Sequence, residues 1–183
     1  MLDSSQSMER FLASVERRAF RMAQIATNST DDALDIVQEA MLSLVKRYGA
    51  KPEEEWKPLF YRILVNSIRD WYRRTRVRNR WRSWMQTIGK ANDTEALNPI
   101  ESFPDPAAHN PEDQVIIDDS VAALESALRI LPPRQQQAFL LRAWEDLSVR
   151  ETAVVMRCSA GSVKTHYSRA VRTLRKLLED HWP

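Results

Sequence analysis

Polar and basic side chains recur along one side of the last predicted helix. Apolar residues between Val163 and Leu177 are spaced three or four apart, which places them on one helical face. Away from that face lie Lys164, Thr165, Ser168, Arg169 and Arg172. These residue types suit base edges and phosphates in a major groove, with the first residues of the helix nearest the bases. The pattern therefore predicts contact with duplex DNA.

The segment before this helix has the features of a helix-turn-helix. Ser148 and Glu151 have the spacing of a capping box, in which each side chain satisfies a free backbone amide. Arg157 to Ser159 then forms a turn, with Ser159 as the cap of the last helix. A short capped helix, a tight turn and a basic amphipathic helix make up this motif. The alternative is an ordinary helix pair with a solvated basic face.

A second cluster of arginines and aromatic residues extends from Asn66 to Arg82. Its members are Arg69, Arg73, Arg74, Arg76, Arg78, Arg80 and Arg82, with Trp71, Tyr72 and Trp81. Arginines can bind phosphates while aromatic rings stack on unpaired bases, as single-strand binding requires. The alternative for Trp71 and Tyr72 is a place in the core, since aromatic residues at helical spacing are often buried.

Residues for catalysis or metal binding do not form a recognisable set. The histidines, His109, His166 and His181, are far apart, and Cys158 is the single cysteine. An acidic group consists of Asp31, Asp32 and Asp35, and such residues are favoured at a helix N-terminus. Three glycines leave no phosphate-binding glycine loop. We therefore expect no catalytic residue, no metal site and no cofactor.

Charge is divided into blocks along the chain. Residues 1–56 have 7 basic and 10 acidic side chains, whereas residues 57–82 have 9 basic and 1 acidic. Residues 89–127 have 1 basic and 9 acidic side chains, and residues 128–178 have 10 basic and 3 acidic. Two basic parts joined by an acidic segment indicate two surfaces that face nucleic acid. Solvated helix faces of uneven charge are the alternative.

Hydropathy gives expectations about location. The first thirty residues are interrupted by charges and contain no apolar signal-peptide core. No run of about 18 apolar residues occurs, so no membrane insertion is expected. With the single cysteine, this favours a cytoplasmic protein.

Helical periodicity dominates both ends of the chain and predicts an all-α fold. The predicted apolar stripe of the second helix comprises Leu34, Val37, Met41, Leu44, Val45 and Tyr48. The third helix is expected to begin near Trp56 and to end in the arginine-rich run from Arg73 to Arg78. Its predicted buried side comprises Leu59, Ile63, Val65, Ile68 and Tyr72.

Asparagine, proline and glycine interrupt all periodicity from about residue 86 to 114. A long segment of this kind is better interpreted as a linker than as part of a compact domain. We therefore predict two small helical domains, residues 8–84 and 115–180, joined by an irregular acidic linker over 85–114. Since its charge opposes that of both domains, the linker is also predicted to lie against them and mask them.

Four segments together resemble the extracytoplasmic-function sigma factors of bacterial RNA polymerase. The run from Asp31 to Ala40 resembles the acidic-glutamine motif of the second conserved region, and Trp56–Arg74 resembles the adjoining helix that engages the minus-ten element. Leu131–Gln135 and Leu147–Ala170 resemble the opening and the helix-turn-helix of the fourth region. The resemblance covers nearly the whole chain.

The resemblance implies roles at matching positions. Asp35, Gln38 and Glu39 would bind core RNA polymerase. The minus-ten element, melted to a single strand, would be recognised by Asn66, Arg69, Arg73 and Arg74. The duplex minus-thirty-five element would be read by Lys164, Thr165 and Arg169, and the loop from Tyr48 to Trp56 would help to form a pocket for a flipped base. Members of the family are commonly held inactive by an anti-sigma factor.

The chain departs from the family at three positions. Arg157 and Cys158 stand where glycine and a small apolar residue are frequent, and Arg150 stands where an acidic residue is frequent. Two other functions remain open at this point. A stand-alone helix-turn-helix repressor or activator would explain residues 132–178 but not the first half. A nucleic-acid enzyme would need the metal or nucleophile set that the sequence lacks.

Overall fold

The computed structural model describes residues 2–88 and 115–179, with side chains described over 6–77 and 121–179. Within these ranges every regular element is helical, which confirms the all-α prediction. The helices are α1 (Leu2–Thr27), α2 (Thr30–Tyr48), α3 (Glu53–Ile88), α4 (Val115–Ile130), α5 (Pro133–Phe139), α6 (Val149–Met156) and α7 (Ala160–Leu177). A π-helical turn, Leu140–Trp144, continues α5. Of the predicted irregular linker, residues 85–88 are helical as the end of α3. Residues 89–114, and the predicted masking of the domains, lie outside the described residues.

The start of α2 has the acidic residues that the sequence predicted for a helix N-terminus, together with a serine cap. The Ser29 side chain accepts a hydrogen bond from the backbone amide of Asp32, and Asp31 and Asp32 lie in the first turn. Their charges favour the positive end of the helix macrodipole. The acidic group is therefore in part a helix start, as the sequence predicted.

The predicted apolar stripe of α2 was wrong at two positions. Leu34 and Val45 are each 45% exposed. The buried residues are Ala33, Ile36, Val37, Ala40 and Leu44. Because α2 lies against both α1 and α3, small alanines on the packed face allow close approach of the neighbouring backbones. Two larger apolar side chains that the prediction counted as buried, Leu34 and Val45, point outward instead.

The third helix is longer than predicted at both ends. It begins at Glu53, three residues before Trp56, and Pro58 is accommodated near its start. It does not end in the arginine-rich run but continues to Ile88. Its core-facing side also differs from the prediction, because Leu59, Ile63 and Tyr72 are only half-buried. Fully buried or nearly so are Trp56, Phe60, Tyr61, Leu64, Val65 and Ile68.

The helix-turn-helix is present as predicted. Ser148 and Glu151 form both hydrogen bonds of the capping box at the start of α6. The Ser159 side chain accepts from the amide of Ser162 and caps α7. Between the two helices, Arg157 adopts a left-handed conformation with φ of 51°. That conformation usually favours glycine, so the turn tolerates an arginine where the family often has glycine.

The N-terminal and C-terminal helices contact each other directly. Helix α3 packs against α6, and α1 packs against α4. Buried side chains from both halves belong to one hydrophobic cluster. The sequence made no prediction about this contact.

Candidate polymerase and nucleic-acid interface

The exposed face of α2 combines carboxylates, an amide and apolar side chains. Asp35, Gln38 and Glu39 are all exposed, as a binding role requires. Beside them on the same helix lie the exposed apolar residues Leu34, Leu42 and Val45. Clustered apolar residues bordered by polar groups are typical of protein-binding surfaces. Sequence reasoning missed these three residues as a surface, although Leu34 and Leu42 each lie three or four positions from a member of the polar set.

Two adjoining grooves separate α2 from α3. The larger, of about 660 Å³, is lined by Glu39, Ser67, Asp70, Arg73, Arg74 and Val77. The smaller, of about 320 Å³, is lined by Asp32, Asp35, Ile36, Glu39, Trp71, Arg74 and Thr75. Glu39 and Arg74 line both grooves. The fold therefore brings the carboxylates of α2 next to the arginines of α3.

The four predicted minus-ten residues are not equally accessible. Arg73 and Arg74 are exposed, whereas Asn66 and Arg69 are half-buried. Arg73 Nη1 lies 3.8 Å from the Asp70 carboxylate. An exposed pair of this kind contributes little to stability and can exchange for a phosphate at small cost. All four lie on α3 and could follow one strand along that helix.

The two aromatic residues of this cluster differ in their surroundings. The Tyr72 hydroxyl donates a hydrogen bond to the Ala26 carbonyl of α1 at 2.7 Å. Burial raises the pKa of Tyr72, so the phenol stays protonated and remains a donor. The Trp71 ring lies 5.3 Å from the Tyr72 ring and lines the smaller groove. Tyr72 is thus tied to the core, and Trp71 is the aromatic side chain that borders the groove.

The loop between α2 and α3 is shorter than predicted and is bordered by an aromatic–cation contact. It comprises residues 49–52, because Tyr48 ends α2 and α3 begins at Glu53. Arg62 Nη2 donates to the Tyr48 hydroxyl at 3.3 Å, with its guanidinium 6.0 Å from the ring centre. Trp56 is buried, and its ring lies 5.8 Å from that of Phe11. The accessible aromatic residue beside this loop is therefore the half-buried Tyr48, which contacts Arg62. Trp56 is buried and is not accessible there.

The polar side of α7 is exposed to solvent. Exposed residues are Lys164, Thr165, Ser168, Arg169 and Arg172. The opposite side is anchored by Val163, Ala170 and Leu174, which are almost completely buried. The predicted α7 stripe was wrong at its last position, because Leu177 is 40% exposed. The five polar side chains lie on the solvent-facing part of the helix. The Thr165 hydroxyl donates to the Gly161 carbonyl at 3.0 Å, which orients its methyl group and oxygen.

An apolar groove of about 620 Å³ lies where α6 meets α7. It is lined by Val149, Arg150, Ala153, Val154, Cys158, Ala160 and Lys164. Cys158 is half-buried and packs against the core, as a small residue that fills the turn. Arg150 and Lys164 place positive charge at this groove, one from each helix.

Known sequence families match both halves of the chain. "Sigma-70 region 2" matches residues 8–78, and "Sigma-70, region 4" matches residues 122–174. The chain is 31% identical over 149 residues to the RNA polymerase sigma-E factor of Streptomyces antibioticus, covering 81% of this chain and 71% of that protein. The chain belongs to the extracytoplasmic-function sigma factors. As such it is an RNA polymerase sigma factor that directs promoter recognition in transcription initiation.

A second relative agrees with this family, and two solved structures have a similar fold. The sigma factor is 35% identical over 150 residues to the ECF RNA polymerase sigma factor BldN of Streptomyces coelicolor. That match covers 81% of this chain, which spans about half (51%) of that relative. The fold is similar to the sigma factor RpoE in complex with the anti-sigma factor NepR from Bartonella quintana, with TM-score 0.63, 23% identity and 98% of each chain covered. It is also similar to CnrH in complex with the cytosolic domain of CnrY, with TM-score 0.57, 19% identity and coverage of 97% and 95%.

The matched regions correspond to the two candidate surfaces. Region 2 of the sigma factor spans α1 from residue 8, all of α2 and α3 as far as residue 78, so it includes both grooves. Region 4 begins within α4 and ends within α7, so it contains α6, the turn and α7 as far as residue 174. In the described residues, no helix has the length and apolar character needed to cross a membrane.

Proposed function

We propose that Asp35, Gln38 and Glu39 on α2 form the main contact of this sigma factor with core RNA polymerase. The observation that carries the proposal is their exposure beside the exposed apolar residues Leu34 and Leu42. An apolar patch supplies contact area, while the adjacent carboxylates select a basic partner surface. These residues match the family's acidic-glutamine motif by position.

Asn66, Arg69, Arg73 and Arg74 are proposed to bind the minus-ten element after it melts. The arginines of α3 can neutralise phosphates, and Trp71 borders the groove where an unpaired base could stack. Because Glu39 and Arg74 line the same grooves, polymerase binding on α2 would lie directly beside strand capture on α3. This adjacency gives the polymerase a short path for coupling its own binding to promoter opening.

Lys164, Thr165, Ser168, Arg169 and Arg172 are proposed to read the minus-thirty-five element in the major groove. Lys164 and Thr165 lie in the first turns of α7, which are the turns that enter the groove in a helix-turn-helix. Arg169 and Arg172 follow one and two turns later and suit phosphate contacts. Arg150, at the start of α6, supplies a further positive charge near Lys164.

We also propose a function for each part of the chain. Residues 8–84 would form the polymerase-binding and minus-ten domain, and residues 115–180 the minus-thirty-five domain, with 85–114 as the linker. The protein would act in the cytoplasm without catalysing a reaction of its own. An anti-sigma factor is proposed as a further partner, because the similar RpoE was solved with the anti-sigma factor NepR.

Run-off transcription with core RNA polymerase on a fragmented genomic library tests the assignment. New transcripts that share upstream motifs are expected when the sigma factor is added. Asp35→Ala should weaken core binding in a pull-down, and Glu16→Ala, an exposed carboxylate on α1, is its control. Lys164→Ala should retain core binding and lose transcription from promoters that need the minus-thirty-five element. Lys176→Ala, an exposed lysine in the last turn of α7, is the matched control.

Two results would contradict the proposed site. If Asp35→Ala leaves core affinity unchanged, the polymerase surface lies elsewhere than on α2. If Lys164→Ala and Lys176→Ala reduce transcription equally, the effect of Lys164 is general charge rather than base reading. Tight duplex binding by the protein alone, without new transcripts, would favour a stand-alone repressor or activator.

A further inference from the structure

Helix α6 has one side that packs in the core and one side that faces solvent. The packed side comprises three almost completely buried residues, Thr152, Val155 and Met156. On the other side Arg150 and Arg157 are exposed, and Val154 between them is 54% exposed. Residues four and three positions apart share one side of a helix, so the two arginines are about two turns, or ~10 Å, apart along it. We call this surface of Arg150, Val154 and Arg157 the outer side of α6.

The outer side of α6 adjoins the polar side of α7. Arg150 and Val154 line the apolar groove of about 620 Å³ together with Ala160 and Lys164 of α7. Lys164 is one of the residues proposed above to read the minus-thirty-five element. In a helix-turn-helix, the helix before the recognition helix crosses the DNA backbone. When α7 lies in the major groove, the outer side of α6 is therefore beside the backbone phosphates.

Both guanidinium groups on this side are positioned to bind an anion. In the part of the chain that the structure describes, neither Arg150 nor Arg157 forms an ion pair with a carboxylate. The carboxylate of Glu151, next to Arg150, belongs to the capping box and accepts a hydrogen bond from the Ser148 amide at 2.7 Å. Guanidinium groups bind phosphate oxygens through paired N–H donors. The outer side of α6 thus has two positive charges that a DNA backbone can neutralise.

Hydrogen bonds hold both ends of α6. The capping box fixes its start, next to Arg150. At its other end, Arg134 Nη1 donates to the Met156 carbonyl at 2.7 Å, and the Cys158 amide donates to the Ala153 carbonyl at 3.1 Å. Because the backbone is already ordered, little conformational entropy of the helix is lost when the arginines bind DNA.

The backbone at Arg157 favours glycine rather than arginine. Its φ of 51° and ψ of 54° lie in the left-handed region, which glycine adopts without steric cost and a residue with a Cβ does not. Residues in strained conformations cluster at functional sites. Arg150 and Arg157 are also two of the positions at which the chain departs from its family. The strain at Arg157 therefore supports a binding role for its side chain.

We infer that the outer side of α6 binds backbone phosphates that flank the minus-thirty-five element, one through Arg150 and one through Arg157. These contacts add affinity for duplex DNA without reading its sequence, whereas α7 reads the bases. The inference deepens the proposed function and rests on it, because it requires α7 to lie in the major groove.

The salt dependence of DNA binding by the reconstituted holoenzyme tests this inference. Fluorescence anisotropy at several KCl concentrations gives its affinity for two labelled duplexes, one with the minus-thirty-five element of a promoter found by run-off transcription and one with that element scrambled. Each phosphate contact contributes ~0.9 to the slope of log affinity against log salt. Arg150→Gln and Arg157→Gly should each reduce that slope by about 1 and weaken binding at low salt by about five- to tenfold. The loss should agree within about twofold between the two duplexes, because phosphates are the same in any sequence.

Arg157→Gly also separates a DNA contact from a structural role. Glycine relieves the left-handed conformation while the substitution removes the charge, so the variant should melt no earlier than the wild type and still bind DNA more weakly. Lys176→Gln, which removes a charge from the last turn of α7, is the control and should keep the wild-type slope.

The results that would overturn the inference are specific. Unchanged slopes in Arg150→Gln and Arg157→Gly would mean that the outer side of α6 does not touch DNA and is open to an acidic protein instead. A loss confined to the duplex with the intact element would indicate base reading, and an equal loss in Lys176→Gln would indicate general charge. Lys164→Ala tests the proposed function separately, because it should narrow the affinity difference between the duplexes. An unchanged difference would refute base reading by Lys164 and leave the phosphate contacts to be judged by their slopes.

Discussion

Replacing Tyr72 by phenylalanine tests whether this aromatic residue serves the core or the promoter. The change removes one hydroxyl and keeps the ring, so stacking on a base would be preserved. It also removes the 2.7 Å hydrogen bond from Tyr72 on α3 to the Ala26 carbonyl at the end of α1. The loss of one partly buried hydrogen bond costs about 1 kcal/mol. For a chain of this size, that corresponds to a fall in Tm of about 2–4 °C.

In this variant, thermal stability should fall while promoter opening is retained. We expect Tyr72→Phe to melt earlier while transcription and permanganate-detected strand opening stay within about twofold of wild type at 25 °C. Tyr167→Phe is the control, because its ring stacks on Phe139 with centres 6.1 Å apart and that stacking survives. Unchanged melting with a loss of strand opening would refute the reasoning, since the hydroxyl would then contact DNA rather than α1.

Further expectations concern the face of α2 and the cap of α6. Leu42→Ala should lower core polymerase affinity by about tenfold and change stability by less than about 0.5 kcal/mol, because Leu42 is 58% exposed. Leu44→Ala, two residues away and fully buried, should cost about 2–5 kcal/mol in chemical denaturation; equal costs would contradict the assigned faces. Ser148→Ala should destabilise the C-terminal helices by about 1 kcal/mol, and an unchanged Tm would mean that the capping box contributes nothing. Hydrogen bonds from the Ser148 side chain and backbone lower the pKa of Glu151 from its ordinary 4.5. The stabilisation by the charged Glu151 carboxylate is therefore complete at a pH above this ordinary pKa, and it is lost as the pH falls through the lower pKa of the folded state. The Tm difference between wild type and Glu151→Gln should therefore shrink from pH 7 to pH 3, and a constant difference would exclude the carboxylate as its source.

Hydrogen bonds at the helix ends and the packed face of the last helix could largely be predicted from the sequence. The caps at Ser148 and Ser159 were recognisable because each satisfies an amide within three residues along the chain. The buried stripe of α7 was also recognisable, since it is a strongly amphipathic helix with one packed face. Local rules work where the partner atoms are a few residues away.

The packed faces of α2 and α3 could not be predicted in this way. Helix α2 contacts two neighbours, so the alanines at 33 and 40 are buried, while Leu34 and Val45 are exposed. The periodicity of one helix shows on which face its apolar residues lie. It does not show whether that face packs in the core or binds a partner. The continuation of α3 beyond the arginine-rich run was missed for a related reason, because charge alone does not end a helix.

By itself, the sequence determined the helical class, the caps, the helix-turn-helix and the exposed polar residues of α2 and α7. These follow from periodicity and from hydrogen bonds between near neighbours in the chain. Only the tertiary structure decided that Glu39 and Arg74 share two grooves, that Tyr72 is tied to Ala26, and that Lys57 reaches Glu145 across 88 positions. The physical reason is that such contacts depend on how the helices pack against one another, and no spacing along the chain encodes that packing directly.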